Sequence, residues 1–426
     1  MERGGWTRTR RQTPDGVVRV HKPDHLILVM TAILMLVGLL VIYAIGPQRA
    51  NLMNSVFGYG YSDQYFFVKQ ATSFGLALAA FFAAYRIPYQ FVLKHGTKML
   101  ILGFVACIGL AIAALTGVVE ETLGAARWIS LGPIGSIQPA EILKFGLLLY
   151  LSVFLGVRMK EGAINDVHRT LIPLGIVVGA ALFMVVVVQR DLGTGIALSA
   201  IAASMLVMAG LNKKFLMILG VGMTVLGLIL IFTSPHRVER VMTFLKGDNT
   251  SVSDGDSYHI EHAKIAIGSG GLFGVGIGDS VQASGYLPEA INDSIFAIIG
   301  ETFGFVGTVA LIALFVTLLM RLLQTMDHLI DPKLRLLVGG VFGWMAAHVI
   351  LNIAAMIGIF PLTGITLPLL SYGGTSMIFI TAALGLAYQL SRYTVHTSLI
   401  KEAAHNEDSI GRRGVGRTRH TSRRGA

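Results

Sequence analysis

Two carboxylates stand at the edge of an apolar run in the stretch YLPEAINDSIFAIIGE, residues 286–301: Asp293 directly precedes the run, and Glu301 lies about two helical turns inside it. A charge at the bilayer centre costs about 2.5 kcal/mol or more, so ionisable residues at membrane depth are functional candidates by default. A carboxylate in such a place can take a proton from a hydroxyl within hydrogen-bond reach. The structural alternatives are also concrete. Asp293 would N-cap the helix that follows, and Glu301 would sit in a buried pair.

Four more stretches carry chemistry-bearing residues. RWISLGPIGSIQPAEILK, residues 127–144, opens with Arg127 and Trp128 and places Gln138, Glu141 and Lys144 at i, i+3 and i+6. That spacing puts the last three on one broad face of a helix that starts at Pro139, whose missing N–H is no loss at a first turn. The alternatives are a structural salt bridge of Glu141, with Lys144 or with a neighbouring helix, and a membrane-interface anchor for Arg127 and Trp128. VVVVQRDLGTG, residues 185–195, presents Arg190 and Asp191, with an N-cap for Asp191 as the plainer reading. FPLTGITLPLLSYGGTS, residues 360–376, is too apolar for a free loop and too broken for a helix. It fits a re-entrant segment that shapes a cavity wall, with Ser371 as its candidate substrate contact. GSGGLFGVGIGDS lacks the Gly-Lys-Ser/Thr ending of a phosphate loop and is expected to be a flexible turn.

These residues need a scaffold, and composition says which. Of 426 residues 54% are hydrophobic and 14% charged, against about 25% charged in a soluble domain. The chain reads as an all-α, polytopic membrane protein. Taking about 20 apolar residues per span, ten runs qualify: 25–46, 66–85, 99–119, 142–158, 171–188, 194–211, 215–234, 294–320, 336–358 and 377–393. The first run is long enough to span, so it is expected to be retained rather than cleaved as a signal peptide. Most of the 34 Lys and Arg fall in the tails and on one set of loops, which places both termini in the cytoplasm.

The organisation expected is a basic tail over 1–24, a membrane domain over 25–393 and a basic tail over 394–426. The tails match positive-inside bias and attraction to anionic lipid, and nucleic acid is not an expected partner. The fourth outer loop, 235–293, is far longer than a connection requires and contains Arg240. Cys107 is the sole cysteine, which excludes an intramolecular disulfide. No metal-ligand cluster is recognisable; a divalent cation remains compatible with the chemistry, and the cofactor is undefined.

At the five stretches, taken in chain order, the chain resembles the FtsW/RodA group of bacterial shape, elongation, division and sporulation proteins, over about residues 25–393. The resemblance implies a peptidoglycan glycosyltransferase. It would polymerise lipid II, an undecaprenyl-diphosphate-linked disaccharide peptide, at the outer face of the cytoplasmic membrane. A class B penicillin-binding transpeptidase and other divisome or elongasome membrane proteins would be its partners. Asp293 in LPEAIND matches the family's essential acid, and Arg127, Glu141 and Lys144 match its RWIxLG and QPSExxK set. Three departures stand out. Ala140 replaces the usual Ser, NDSIF replaces the commoner TDFIF, and Thr302 stands where a second Glu is frequent.

The implied chemistry suits the residue types. Asp293 would act as general base on the acceptor sugar hydroxyl, and Lys144, Arg127 or Arg240 would stabilise the departing diphosphate. Gln138, Trp128, Arg190, Asp191, Glu301 and Ser371 complete the expected substrate-binding set, lining an outward-facing polar cavity with Glu301 as support. Two other classes compete: a lipid II flippase and a non-catalytic divisome scaffold. A flippase needs a polar path to the inner face, whereas the helices here lose charge with depth.

Overall fold

A computed structural model describes residues 21–117, 126–130, 136–232, 238, 241–242 and 255–394. Most of both tails, the first part of the long loop and Arg240 lie outside the described residues. In chain order the helices are α1 (His25–Phe57), α2 (Tyr65–Arg86), α3 (Tyr89–Lys94), α4 (Gly96–Leu115), α5 (Pro139–Lys160) and α6 (Val167–Val188). Then follow α7 (Leu192–Met208), α8 (Lys213–Phe232), α9 (Gly255–Ser269), α10 (Ile295–Asp327), α11 (Pro332–Met356) and α12 (Gly374–Leu390).

Among the described residues eight of these are long and apolar enough to cross a membrane: α1, α2, α4, α5, α6, α10, α11 and α12. The two remaining expected spans coincide with α7, of 17 residues, and α8, of 20. The protein is therefore a multi-pass, all-α membrane protein. Among the described residues the one sheet is a short two-stranded pair that the sequence did not signal: β1 (Ile129–Ser130) pairs antiparallel with β2 (Ser136–Ile137).

Local rules set the helix ends. The Asp24 carboxylate accepts from Leu26 N at 3.0 Å to start α1, which ends on Gly58 in the left-handed region (φ 67°). Pro139 occupies the first turn of α5, as its missing donor allows. α1 runs through Pro47 to Phe57, past the expected end at 46, because a proline removes only one ladder bond and a long helix can absorb it.

α5, α11 and α12 are the most enclosed spans, and the other candidate spans turn more surface outward. α4 packs on α5, α5 and α7 on α11, and α2 on α12. Close approach requires glycine at the α4–α5 crossing. A Cβ on Gly103 would stand 2.6 Å from Leu143 Cα, and one on Gly146 would stand 2.6 Å from Leu100 Cα.

The glycine-rich stretch is not a flexible turn. α10 is broken at Gly304 (φ 66°, ψ −162°), and residues 271–276 cross it there. Val275 N donates to Glu301 O (2.9 Å) and Gly276 N to Thr302 O (3.1 Å); Phe305 N donates to Gly271 O (2.9 Å) and Val306 N to Leu272 O (3.1 Å). The break frees helix backbone groups and the loop satisfies them, as buried polar groups require. A Cβ at Gly304 would lie 2.4 Å from Gly274 N.

Candidate active site

By alternation of the spans, the starts of α5, α7, α10 and α12 and the end of α11 meet at the end of the bundle remote from His25. Most of the candidate residues are here.

On α5, Lys144 Nζ donates to Glu141 Oε1 at 2.7 Å, with both side chains no more than 3% exposed. Charges so deeply buried persist only when paired. The Lys144 ammonium also lies 5.0 Å from the ring centre of Trp344 on α11. Gln138 parts from this pair. Its Nε2 donates to Asp191 Oδ2 at 3.0 Å, tying the start of α5 to the start of α7.

Asp191 is the N-cap of α7. Its Oδ1 accepts from Thr194 N at 2.9 Å and its Oδ2 from Thr194 Oγ1 at 2.8 Å. Arg127, just before β1, donates from Nε to Gln189 O (3.3 Å) and from Nη2 to Arg190 O (2.8 Å). Arg190 takes positive φ (53°) to make the turn between α6 and α7. Arg127, Gln138, Arg190 and Asp191 therefore form one cluster, with Trp128 beside it and exposed.

Asp293 belongs to a second group. It is half-buried and stands one residue outside the cap position of α10, which Ser294 occupies. The sequence-based N-cap role for Asp293 is thus corrected: the loop turns one residue later than the apolar run suggested. The approach is a tight coil in which Glu289 adopts positive φ (48°) and its carbonyl accepts from Asn292 N (2.9 Å) and Ser294 N (3.2 Å). The carbonyl of Asp293 itself accepts from Asn352 Nδ2 on α11 at 2.7 Å, and the same Nδ2 donates to Ile365 O at 2.8 Å.

The re-entrant stretch joins here too. Tyr372 N donates to Ile291 O (2.8 Å), and the buried Ser371 Oγ accepts from Leu367 N (2.8 Å), closing a turn within the stretch. Ser371 therefore serves its own segment.

Glu301 is 1% exposed, and among the described residues no basic side chain pairs with it. Its carboxylate accepts from Ser280 Oγ (2.5 Å), Val281 N (3.0 Å) and Gln282 N (3.2 Å). It pins the loop that leads to Asp293, in keeping with a supporting role.

The expected single polar cavity is divided in this geometry. The Glu141–Lys144 pair is buried, Asp191 spends its oxygens on Thr194 and Gln138, and Glu301 spends its own on Ser280, Val281 and Gln282. A cavity of about 290 Å³ lies at the opposite end of the bundle, lined by His21, Lys22, Asp24, Arg321, Gln324 and His328 among others. Among the described residues no three His, Cys, Asp or Glu side chains group as metal ligands.

Sequence reasoning missed Asn352, His348, His259 and His262. His348 Nδ1 lies 3.2 Å from Thr366 O, one turn from both Trp344 and Asn352 on α11. The signal was present: His and Asn four apart within the apolar stretch HVILNIAAM, where polar groups are expensive.

Comparison with known proteins agrees with this architecture. A family model described as cell cycle protein, covering FtsW, RodA and SpoVE, matches residues 24–396. Stage V sporulation protein E of Bacillus subtilis is 33% identical over 377 residues, covering 87% of this chain and 98% of that protein. A probable peptidoglycan glycosyltransferase FtsW of Nitrosomonas europaea is 30% identical over 373 residues, covering 87% and 93%. Among solved structures, a chain of a peptidoglycan synthase complex that coordinates polymerization and crosslinking superposes with a TM-score of 0.67 at 23% identity, over 87% of this chain and 98% of that one. The rod shape determining protein RodA of Thermus thermophilus gives 0.63 at 24% identity, over 88% and 98%. At these identities the structural likeness is one of fold.

Proposed function

Because the chain belongs to the FtsW, RodA and SpoVE family of cell cycle proteins, we propose that it is a peptidoglycan glycosyltransferase. It polymerises lipid II into β-1,4 glycan strands at the outer face of the cytoplasmic membrane, beside a class B penicillin-binding transpeptidase. Both termini are cytoplasmic in this reading, and the loop that carries Asp293 is extracytoplasmic. A reporter fused after residue 250 should then score outside and one after residue 400 inside.

The observation that carries the reading is the placement of Asp293. Its half-buried carboxyl sits where a loop enters a membrane helix, on a main chain held by Asn352, in a family with relatives named as peptidoglycan glycosyltransferases. In the step proposed, Asp293 takes the proton of the acceptor sugar 4-hydroxyl as its oxygen attacks the anomeric carbon of the donor. The bond from that carbon to the diphosphate oxygen breaks, and the lipid diphosphate leaves with the electron pair. A single displacement inverts an α-linked diphosphate into a β linkage. The leaving group needs charge stabilisation rather than a proton. Arg127 at the rim is proposed to supply it, with Lys144, whose bond to Glu141 uses one of three ammonium donors, and Arg240.

The test is direct. Purified chain with its transpeptidase partner receives labelled lipid II, and glycan strands are scored by gel. Strand formation by the wild type that is abolished in Asp293→Asn is the expected result. Lipid II translocation in vesicles without any strand formation would replace the reading with a flippase.

A further inference from the structure

We propose that His259 is a positioning residue for Asp293, acting through Ser294; this rests on the reading of Asp293 as the base. His259 lies on α9, within the described part of the long loop, and is 8% exposed. Its Nε2 is 2.5 Å from the Oγ of Ser294, which is fully buried. The Ser294 hydroxyl donates to Pro288 O at 2.9 Å. A carbonyl can only accept, and a serine carries a single hydrogen. That hydrogen therefore faces Pro288, and the contact with His259 is a bond in which the imidazole Nε2–H donates.

Ser294 is the residue after Asp293, so two long-range bonds bracket the peptide that bears the carboxylate. Asn352 holds the Asp293 carbonyl from α11, and His259 holds the Ser294 side chain from α9. One turn along α9, His262 Nδ1 meets Gln282 Oε1 at 2.8 Å, and the Gln282 backbone is already bound by Glu301. Histidines at i and i+3 of one helix thus grip both ends of the segment 282–294. Ser294 makes no side-chain cap bond to α10, so helix capping does not explain its hydroxyl. The pairing also accounts for a departure from the family pattern, NDSIF in place of TDFIF: a serine there accepts from the imidazole as a phenylalanine cannot.

A misplacement near 1 Å costs about a hundredfold in rate when a reacting group must be held in line. The measurement is kcat and KM for lipid II on the full chain with its transpeptidase partner, for His259→Leu, His259→Gln, Ser294→Ala and the Leu/Ala double variant. The expected result is kcat lowered at least about tenfold in His259→Leu and Ser294→Ala, with KM within about twofold. The double variant should be no worse than either single one, because both remove the same bond. His259→Gln, whose amide N–H can still donate, should recover kcat to within about threefold of wild type.

Wild-type kcat in Ser294→Ala, equal losses in the Gln and Leu variants, or additive losses in the double variant would each overturn the proposal. Should His259→Leu fail to fold, the Gln and Ala variants still decide it. Asp293→Asn, run alongside, separates the two claims. Full activity in that variant removes the base, whereas the His259–Ser294 coupling is read from the double variant alone.

Discussion

Asn352 Nδ2 donates to the main-chain carbonyl of Asp293 at 2.7 Å, across 59 residues of sequence. The bond makes α11 the fixed reference for a carboxylate that belongs to a loop. Asn352→Leu would remove the donor from two carbonyls, Asp293 O and Ile365 O, and each buried acceptor left unpaired costs about 1–3 kcal/mol. The variant should melt lower and polymerise with kcat reduced at least about tenfold. A lower melting temperature with wild-type kcat would break the link between this bond and the position of Asp293.

Asp293→Asn keeps the shape of the side chain and removes its basicity. Since Ser294 and not Asp293 holds the cap position of α10, no helix-capping loss accompanies the change. General-base catalysis contributes about 10²–10⁴-fold, so polymerisation should fall at least about a hundredfold with partner binding intact. Strand yields from the Asn variant equal to wild type would falsify the assignment.

The Glu141–Lys144 pair separates stability from chemistry. Removing one partner of a buried pair typically costs about 3–5 kcal/mol, whereas replacing both with apolar residues is often neutral. Glu141→Met should therefore unfold far more readily in detergent than the double variant with Lys144→Met. If Lys144 also faces the diphosphate, the double variant and the charge-swapped variant (Glu141→Lys with Lys144→Glu) fold but stay inactive. Activity in either would leave the pair with a packing role only.

Gly304→Ala tests the crossing of the glycine-rich segment with α10. The position needs positive φ and its Cβ would overlap Gly274 N and the Leu272 carbonyl group, so the crossing must open. Limited proteolysis should cut within residues 270–285 in the variant and not in the wild type. Glycan synthesis should fall with it, because the same segment leads to Ser280 and Gln282, which Glu301 holds. Equal protease resistance would mean that the crossing tolerates a side chain.

The membrane architecture was legible in the chain itself. Water is absent from the bilayer core, so every span must be a self-satisfied helix built from an apolar run, and each of the ten runs falls on one helix. Pro139 and Asp191 announced the starts of α5 and α7 because a missing donor and a capping carboxylate act within one turn. The five stretches named the residue types at the site for the same reason: their spacing is local. What each charge touches was decided only by the fold. Glu301 is bound by Ser280, Val281 and Gln282, about twenty residues upstream; Asp293 is held from α11; the glycine-rich segment fills a break in α10 that it does not adjoin in sequence. Spans form by satisfying their own backbone, whereas a loop must find its donors and acceptors on whatever element packing brings beside it. That packing, set by close approaches such as Gly103 on Leu143, is a property of helices brought together and is not written in any one of them.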